Sequence, residues 1–195
     1  DASSSVQDMY FSDYAVTNET VGIPSEAVKT LAENDAVESV STTRLSVFMP
    51  GAGDILPFET DLSVQSHETL QLVNVDEAQL QIYAPNLSAQ DKQALKDGTG
   101  CLVKNPIAFS YGDTTVQQTD LTVGDTIQLG DRTLPVLGLI DTAITINNDG
   151  FTNGVQLIVN DEIYCSLLGN DSYSEVYPTL QDNADTDTFE SWLDS

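Results

Sequence analysis

The sequence predicts an α+β chain folded as two lobes, and three observations predict it. The first is Leu121 to Asp141, LTVGDTIQLGDRTLPVLGLID, where Leu121, Val123, Ile127 and Leu129 alternate with polar residues up to a turn at Gly130-Asp131. A second apolar run follows at Leu134, Val136, Leu137, Leu139 and Ile140. Two such runs around a Gly-Asp turn read as a β-hairpin. The second observation is helical spacing, bracketed by strand-like runs, near both ends of the chain. The third is a middle stretch dominated by strand patterns with one short helix.

In order, Met9, Phe11, Tyr14 and Val16 suggest a first strand after a polar start. Pro24 fits a helix start, and Ser25 with Glu26 sets polar and acidic groups at the positive end of that helix. Ala27, Val28, Leu31 and Ala32 keep helical spacing, and Asn34-Asp35 stops it. Val37 and Val40 lead into a strand continued by Leu45, Val47 and Met49. Residues 50 to 58, PGAGDILPF, are punctuated as a loop. Leu70, Leu72, Val73 and Val75 form the next strand. Ser88 caps a short helix with Asp91 at its third position, Ala94 and Leu95 facing inward and Gly98 and Gly100 closing it. Cys101, Leu102 and Val103 enter a strand. Residues 106 to 120 are irregular, with Val116 on a short edge strand. NNDG at 147–150 is a turn, and Gly154, Val155, Leu157 and Val159 form a strand. Asp161 starts a helix with Ile163, Leu167 and Leu168 on one face and Gly169 as its stop. Tyr173, Val176, Tyr177 and Leu180 are a strand region, and Phe189, Trp192 and Leu193 line a last helix.

The chain has 195 residues, 40% of them hydrophobic, enough for one large or two small lobes with a core. No apolar run approaches the roughly 20 residues that cross a bilayer. The polar start DASSSVQDMY is not a signal peptide, so the chain is expected to be a soluble piece of something larger. With 6 Lys+Arg against 31 Asp+Glu, the formal net charge is −25. Such a charge repels nucleic acid and anionic lipid and suits an extracellular surface or a cationic partner.

Chemistry is harder to find. Cys101 and Cys165 form no framework and are expected as unpaired, largely buried thiols. His67 stands alone among polar residues and reads as a solvated loop residue. There is no GxxxxGK[ST], no GxSxG and no Ser-His-Asp set. The run DNADTDTFESWLD lacks the central glycine and final glutamate of a calcium loop. Asp185 and Asp187 fit the first turn of the last helix better. No catalytic, cofactor-binding or metal-ligating residue is assigned, and no enzymatic activity is expected. Tyr10, Phe11 and Tyr14 are a possible binding face, and Trp192 a possible docking residue near a membrane.

The phrase VGDTIQLGDRTLPVLGLID resembles the one that closes the inserted lobe of the extracytoplasmic domain in MacB/FtsX-like ABC transporter permeases. The flanks resemble that domain too: LAENDAVESV at a helix end running into a strand, TLQLVNVD before the insert, and ALKDGTGCLVKN as a helix end entering a short apolar strand. Residues 50 to 68 and 104 to 120 depart from the pattern. The resemblance implies a split βαβ-βαβ, porter-like lobe of residues 1–75 and 143–195, with an inserted, mostly β, sabre-like lobe of residues 76–142. It also implies transmembrane helices on both sides, a cytoplasmic ATPase subunit acting through them, and a dimer in the full transporter. The domain would lie at the cell membrane on its extracytoplasmic side. It would couple ATP-driven motion to an extracellular protein, peptide or lipid-linked cargo, in efflux, peptide resistance or cell-wall regulation. A competing reading from the residues alone is a stand-alone secreted acidic binding or adhesion domain.

Overall fold

A computed structural model of the chain describes residues 14, 16–17, 22–146 and 154–195. The expected strand residues Met9 and Phe11, the expected NNDG turn, and Tyr10 lie outside the described residues. The elements, in chain order, are β1 (Val16–Thr17), α1 (Ser25–Ala32), β2 (Val37–Phe48), β3 (Thr69–Val75), α2 (Glu77–Tyr83), α3 (Ala89–Asp97) and β4 (Cys101–Lys104). Then come β5 (Ser110–Tyr111), β6 (Thr114–Thr115), β7 (Thr126–Leu129), β8 (Arg132–Leu139), β9 (Gly154–Ile158), α4 (Asp161–Leu168), β10 (Glu175–Leu180) and α5 (Thr186–Leu193). This is an α+β fold. It divides into two compact units, Asp1–Arg44 with Asp171–Ser195, and Leu45–Asn170.

In the first unit β10 pairs antiparallel with both β1 and β2, placing Val176 opposite Val16 on one side and Thr42 on the other. β1 and β2 therefore run parallel with one strand between them, which makes β1-α1-β2 a split βαβ unit. Val28 and Leu31 of α1 and Phe189 and Leu193 of α5 pack with Val37, Val40, Val176 and Leu180. Glu26 in the first turn of α1 and Lys29 in its last suit the helix dipole. α5 is capped by Asp185, whose carboxylate accepts from the Thr188 amide at 3.1 Å. That hydrogen bond holds the Asp185 carboxyl below its usual range.

The chain leaves this unit at Arg44 and returns at Asp171, and the two points are tied together. Arg44 Nε and Nη2 both donate to the Asp171 carbonyl, at 3.2 and 3.0 Å. The guanidinium lies 3.9 Å from the centroid of the Tyr173 ring. Ser25 Oγ donates to Asp171 Oδ2 at 3.1 Å, and the Ser174 amide donates to the Thr43 carbonyl at 2.8 Å. Arg44 is buried, so its charge must be met by such partners.

The second unit is built on a mixed sheet in which β3, β9, β4, β8 and β7 are neighbours in that order. β3 and β9 are parallel, as are β4 and β8, while β9–β4 and β8–β7 are antiparallel. Every residue of β4 and β9 is buried, as are the first six of β3, the pattern of strands covered on both faces. On one face Leu70, Leu72, Cys101, Val103, Val155 and Leu157 meet Ile163 and Tyr164 of α4. On the other, Val73, Leu102 and Ile158 meet Leu80 and Tyr83 of α2 and Leu95 of α3. The strands β4, β7 and β8, all from 76–142, thus share a sheet with β3 and β9.

The hairpin turns at Gly130, as expected, with β7 and β8 paired from Thr126↔Pro135 to Leu129↔Arg132. Its first strand starts later than the alternation suggests. Asp125 Oδ2 accepts from the Thr122 amide at 2.9 Å, so residues 122–125 form a turn and Val123 is 60% exposed. The outer edge of β7 is covered by residues 59–61: the Gly130 amide donates to the Glu59 carbonyl at 2.7 Å, and the Gln128 amide to Asp61 Oδ1 at 2.8 Å. Covered edges resist pairing with other chains. The single short helix expected in the middle stretch is two helices. Asp76 caps α2 by accepting from the Gln79 amide, and Ser88 caps α3 by accepting from the Asp91 amide.

Candidate interaction surface

Within the second unit, residues 106–120 form a largely exposed arm whose base is pinned from two sides. Asn105 Nδ2 donates to the Leu121 carbonyl and Asn105 Oδ1 accepts from the Leu121 amide, both at 2.9 Å. Beside that pinch stands the buried carboxylate of Glu68. It accepts from the Thr119 amide at 2.7 Å, from Thr119 Oγ1 at 2.5 Å, and from the Gln65 amide at 3.3 Å. A carboxylate taken out of water needs such donors, and hydrogen bonds to a charged group are the stronger kind.

Beyond its base the arm is a narrow ribbon. The Val116 amide donates to the Phe109 carbonyl, Ser110 pairs with Thr115, and Tyr111 with Thr114. The connection is the two residues Gly112-Asp113, and Gly112 adopts φ of +60°, the left-handed region this turn requires. Val116, expected on an edge strand, sits just past β6. Gln118 Nε2 donates to the Ile107 carbonyl at 3.0 Å and braces the lower part of the ribbon.

Extended backbone sends alternate side chains to one side. Ile107, Phe109 and Tyr111 share that spacing, and all three are exposed, Tyr111 at 83%. His67 is exposed as its polar neighbours suggest, and its ring stands edge-on to Phe109 at 6.3 Å between centroids. From Asn105 to Asp131 the chain carries four aspartates (Asp113, Asp120, Asp125 and Asp131) and no Lys, Arg or His. The cations nearest in sequence are committed elsewhere: Lys104 is buried, and Arg132 pairs with Glu162 at 2.7 Å. Within 106–120 the arm itself carries Asp113 and Asp120 beside its exposed apolar residues and no cationic residue.

The other residues singled out from the sequence do not gather at this arm. Cys101 is fully buried, and burial pushes its thiol up to about 12, so it carries no thiolate at ordinary pH. Cys165 is half-buried, and no disulfide joins the two. Trp192 stacks on Phe189 at 6.0 Å, and Tyr14 meets Phe189 edge-on at 5.5 Å while its hydroxyl donates to Glu190. Phe189 and Tyr14 belong to the first unit's core, whereas Trp192 is 36% exposed. Sequence reading passed over the arm, although its i, i+2, i+4 apolar spacing ending at Gly-Asp is a hairpin signal.

No protein-family model and no curated protein matches the chain. Among solved structures it is similar to the extracellular domain of the noncanonic ABC-type transporter YknZ from Gram-positive bacteria, with a TM-score of 0.47 and 13% identity over 89% of this chain and 79% of that one. It is similar to the periplasmic region of MacB from Actinobacillus actinomycetemcomitans, with a TM-score of 0.48 and 12% identity over 89% of this chain and 72% of that one. A permease-protein domain from Porphyromonas gingivalis gives a TM-score of 0.46 and 16% identity over 89% and 74%.

Proposed function

We propose that the chain is the extracytoplasmic domain of an ABC transporter permease that couples ATP-driven membrane motion to an extracellular partner. The observation that carries this reading is the tied exit and return of the chain at Arg44 and Asp171. One unit holds both end segments, and the other is carried between them as a single excursion. A lever needs an anchored part and a carried part, and this chain order supplies both. The sequence resemblance of the hairpin phrase and its flanks supports the same assignment. Within it, the whole protein has transmembrane helices on both sides of the domain, a cytoplasmic ATPase subunit and a dimeric state. The domain itself performs no chemistry. Its partner is an extracellular protein, peptide or lipid-linked cargo, and the process is efflux, peptide resistance or cell-wall regulation.

The test uses the full-length gene in its own cells. Ile55, 92% exposed, is changed to Cys. A membrane-impermeant maleimide should label Ile55→Cys in intact cells, and the purified protein should retain an associated ATPase. Labelling only after lysis, or secretion without any membrane-bound form, would return the chain to the stand-alone binding class.

A further inference from the structure

We propose that the 106–120 arm docks a basic protein segment that carries apolar side chains on one face. The proposal rests on the reading of the chain as a partner-binding extracytoplasmic domain and adds the place and chemistry of the contact. Three features point to it. Ile107, Phe109 and Tyr111 are exposed at alternate positions of a segment whose base is pinned at Asn105 and Leu121, so less order has to be gained on meeting a partner. Large aromatic side chains held this way are the residues that dominate interface energies. A charge of −25 over the chain, with no cation between Asn105 and Asp131, attracts a basic segment.

The same charge argues against the other occupants. A second copy meeting the arm with its own arm would set Asp113 and Asp120 against their like, with no cation between Asn105 and Asp131 to answer them. An anionic membrane would be repelled, and a neutral one offers nothing to the aspartates. A basic strand with alternate apolar residues answers both features at once. It can lay its apolar side on Ile107, Phe109 and Tyr111, and the ribbon's short exposed strands can accept it edge to edge.

The experiment follows backbone amide shifts of the 195-residue chain while an octapeptide of alternating Lys and Val is added. Shifts should concentrate at 105–121. Binding should weaken as salt rises from 50 to 500 mM, because exposed charges are screened over that range. Tyr111→Ser should weaken binding about tenfold, as loss of an aromatic anchor does. At 83% exposure this change leaves the core intact. The triple variant Ile107→Ser, Phe109→Ser, Tyr111→Ser should show no saturable binding. An octapeptide of alternating Lys and Ser should bind at least about tenfold more weakly, and one of Glu and Val not at all. Equal binding of the Lys-Ser peptide, unchanged affinity of Tyr111→Ser, shifts centred elsewhere, or preference for phosphatidylcholine vesicles would each overturn the proposal. Failure here with Ile55→Cys labelled from outside removes the arm and leaves the permease reading. Peptide binding without outside labelling does the reverse.

Discussion

The two faces of the second unit's sheet are built from the same strands and differ in kind. The face under α4 is apolar from end to end, with Leu70, Leu72, Cys101, Val103, Val155 and Leu157 all essentially solvent-free. The face under α2 and α3 is apolar only in the half that holds Val73, Leu102 and Ile158. In its other half strand alternation brings Thr69, Gln71, Gln156 and Lys104 to the same side, and all four are buried. There Gln156 Nε2 donates to Gln71 Oε1 at 2.6 Å, and Gln71 Nε2 donates to Thr69 Oγ1 at 3.1 Å. Gln156 Oε1 ends the chain of donors with no hydrogen-bond partner. Gly154 lies opposite Thr69, and a Cβ there would run into Thr69 Oγ1 and Gln71 Nε2. The lesson is one of specification. An apolar face sets how stable a sheet is, whereas a polar row with fixed partners sets which register the strands adopt.

The apolar face is the more sensitive of the two to a single substitution. Leu157→Ala removes a fully buried side chain and should cost about 2–5 kcal/mol, the usual range for a core cavity; urea unfolding would read it as a lower midpoint at unchanged slope. A loss under about 1 kcal/mol would mean that this face is loosely packed. Next comes Gly154→Ala, which should cost about 1–3 kcal/mol because the added methyl overpacks the Thr69–Gln71 contact. Gln156→Leu should cost about 1–2 kcal/mol, because it leaves the Gln71 carbonyl oxygen buried without its donor. The double variant Gln71→Leu, Gln156→Leu should recover part of that loss, since the Gln71 oxygen is removed along with its donor while Thr69 Oγ1 loses its own. If the double variant is no better than the single, the row holds the fold by more than its own hydrogen bonds.

The smallest effect is expected in the first unit. Glu175 sits on β10 opposite Thr17 and Thr43, and burial raises its carboxyl from near 4.5 to about 7. Between those values the folded chain holds a proton that the unfolded chain has released, so stability falls as pH rises through the window. Glu175→Gln should therefore be the more stable form above pH 7, by up to about 1 kcal/mol after allowing for solvent screening. Melting temperatures at pH 4.5 and pH 8 would test it: the gap between wild type and variant should open only at the higher pH.

Much of the fold was legible in the sequence because the signals were local. Ser88 with Asp91, Gly169 after α4, and the Gly130 turn each act within four residues, and each falls where the pattern put it. The α2 helix was missed because EAQLQIY is too short to show its period, and its start depends on the Asp76 cap. Val123 misled because alternation continues through residues whose backbone is turned by Asp125. A division at 75/76 and 142/143 follows the order of element types along the chain. The compact units at 44/45 and 170/171 follow packing, which alternation cannot express. The arm was hidden for a related reason. Ile107, Phe109 and Tyr111 look like core residues until the Asn105–Leu121 pinch turns the ribbon outward.

The Arg44 clamp makes the chain modular in an engineering sense. Because the chain's exit at Arg44 and its return at Asp171 are tied to each other, residues 45–170 can be treated as a cassette. A short Gly-rich turn joining Arg44 to Asp171 should close with little loop entropy, since the ends already meet. The first unit could then be produced without its passenger, and foreign domains with close termini could be carried in its place.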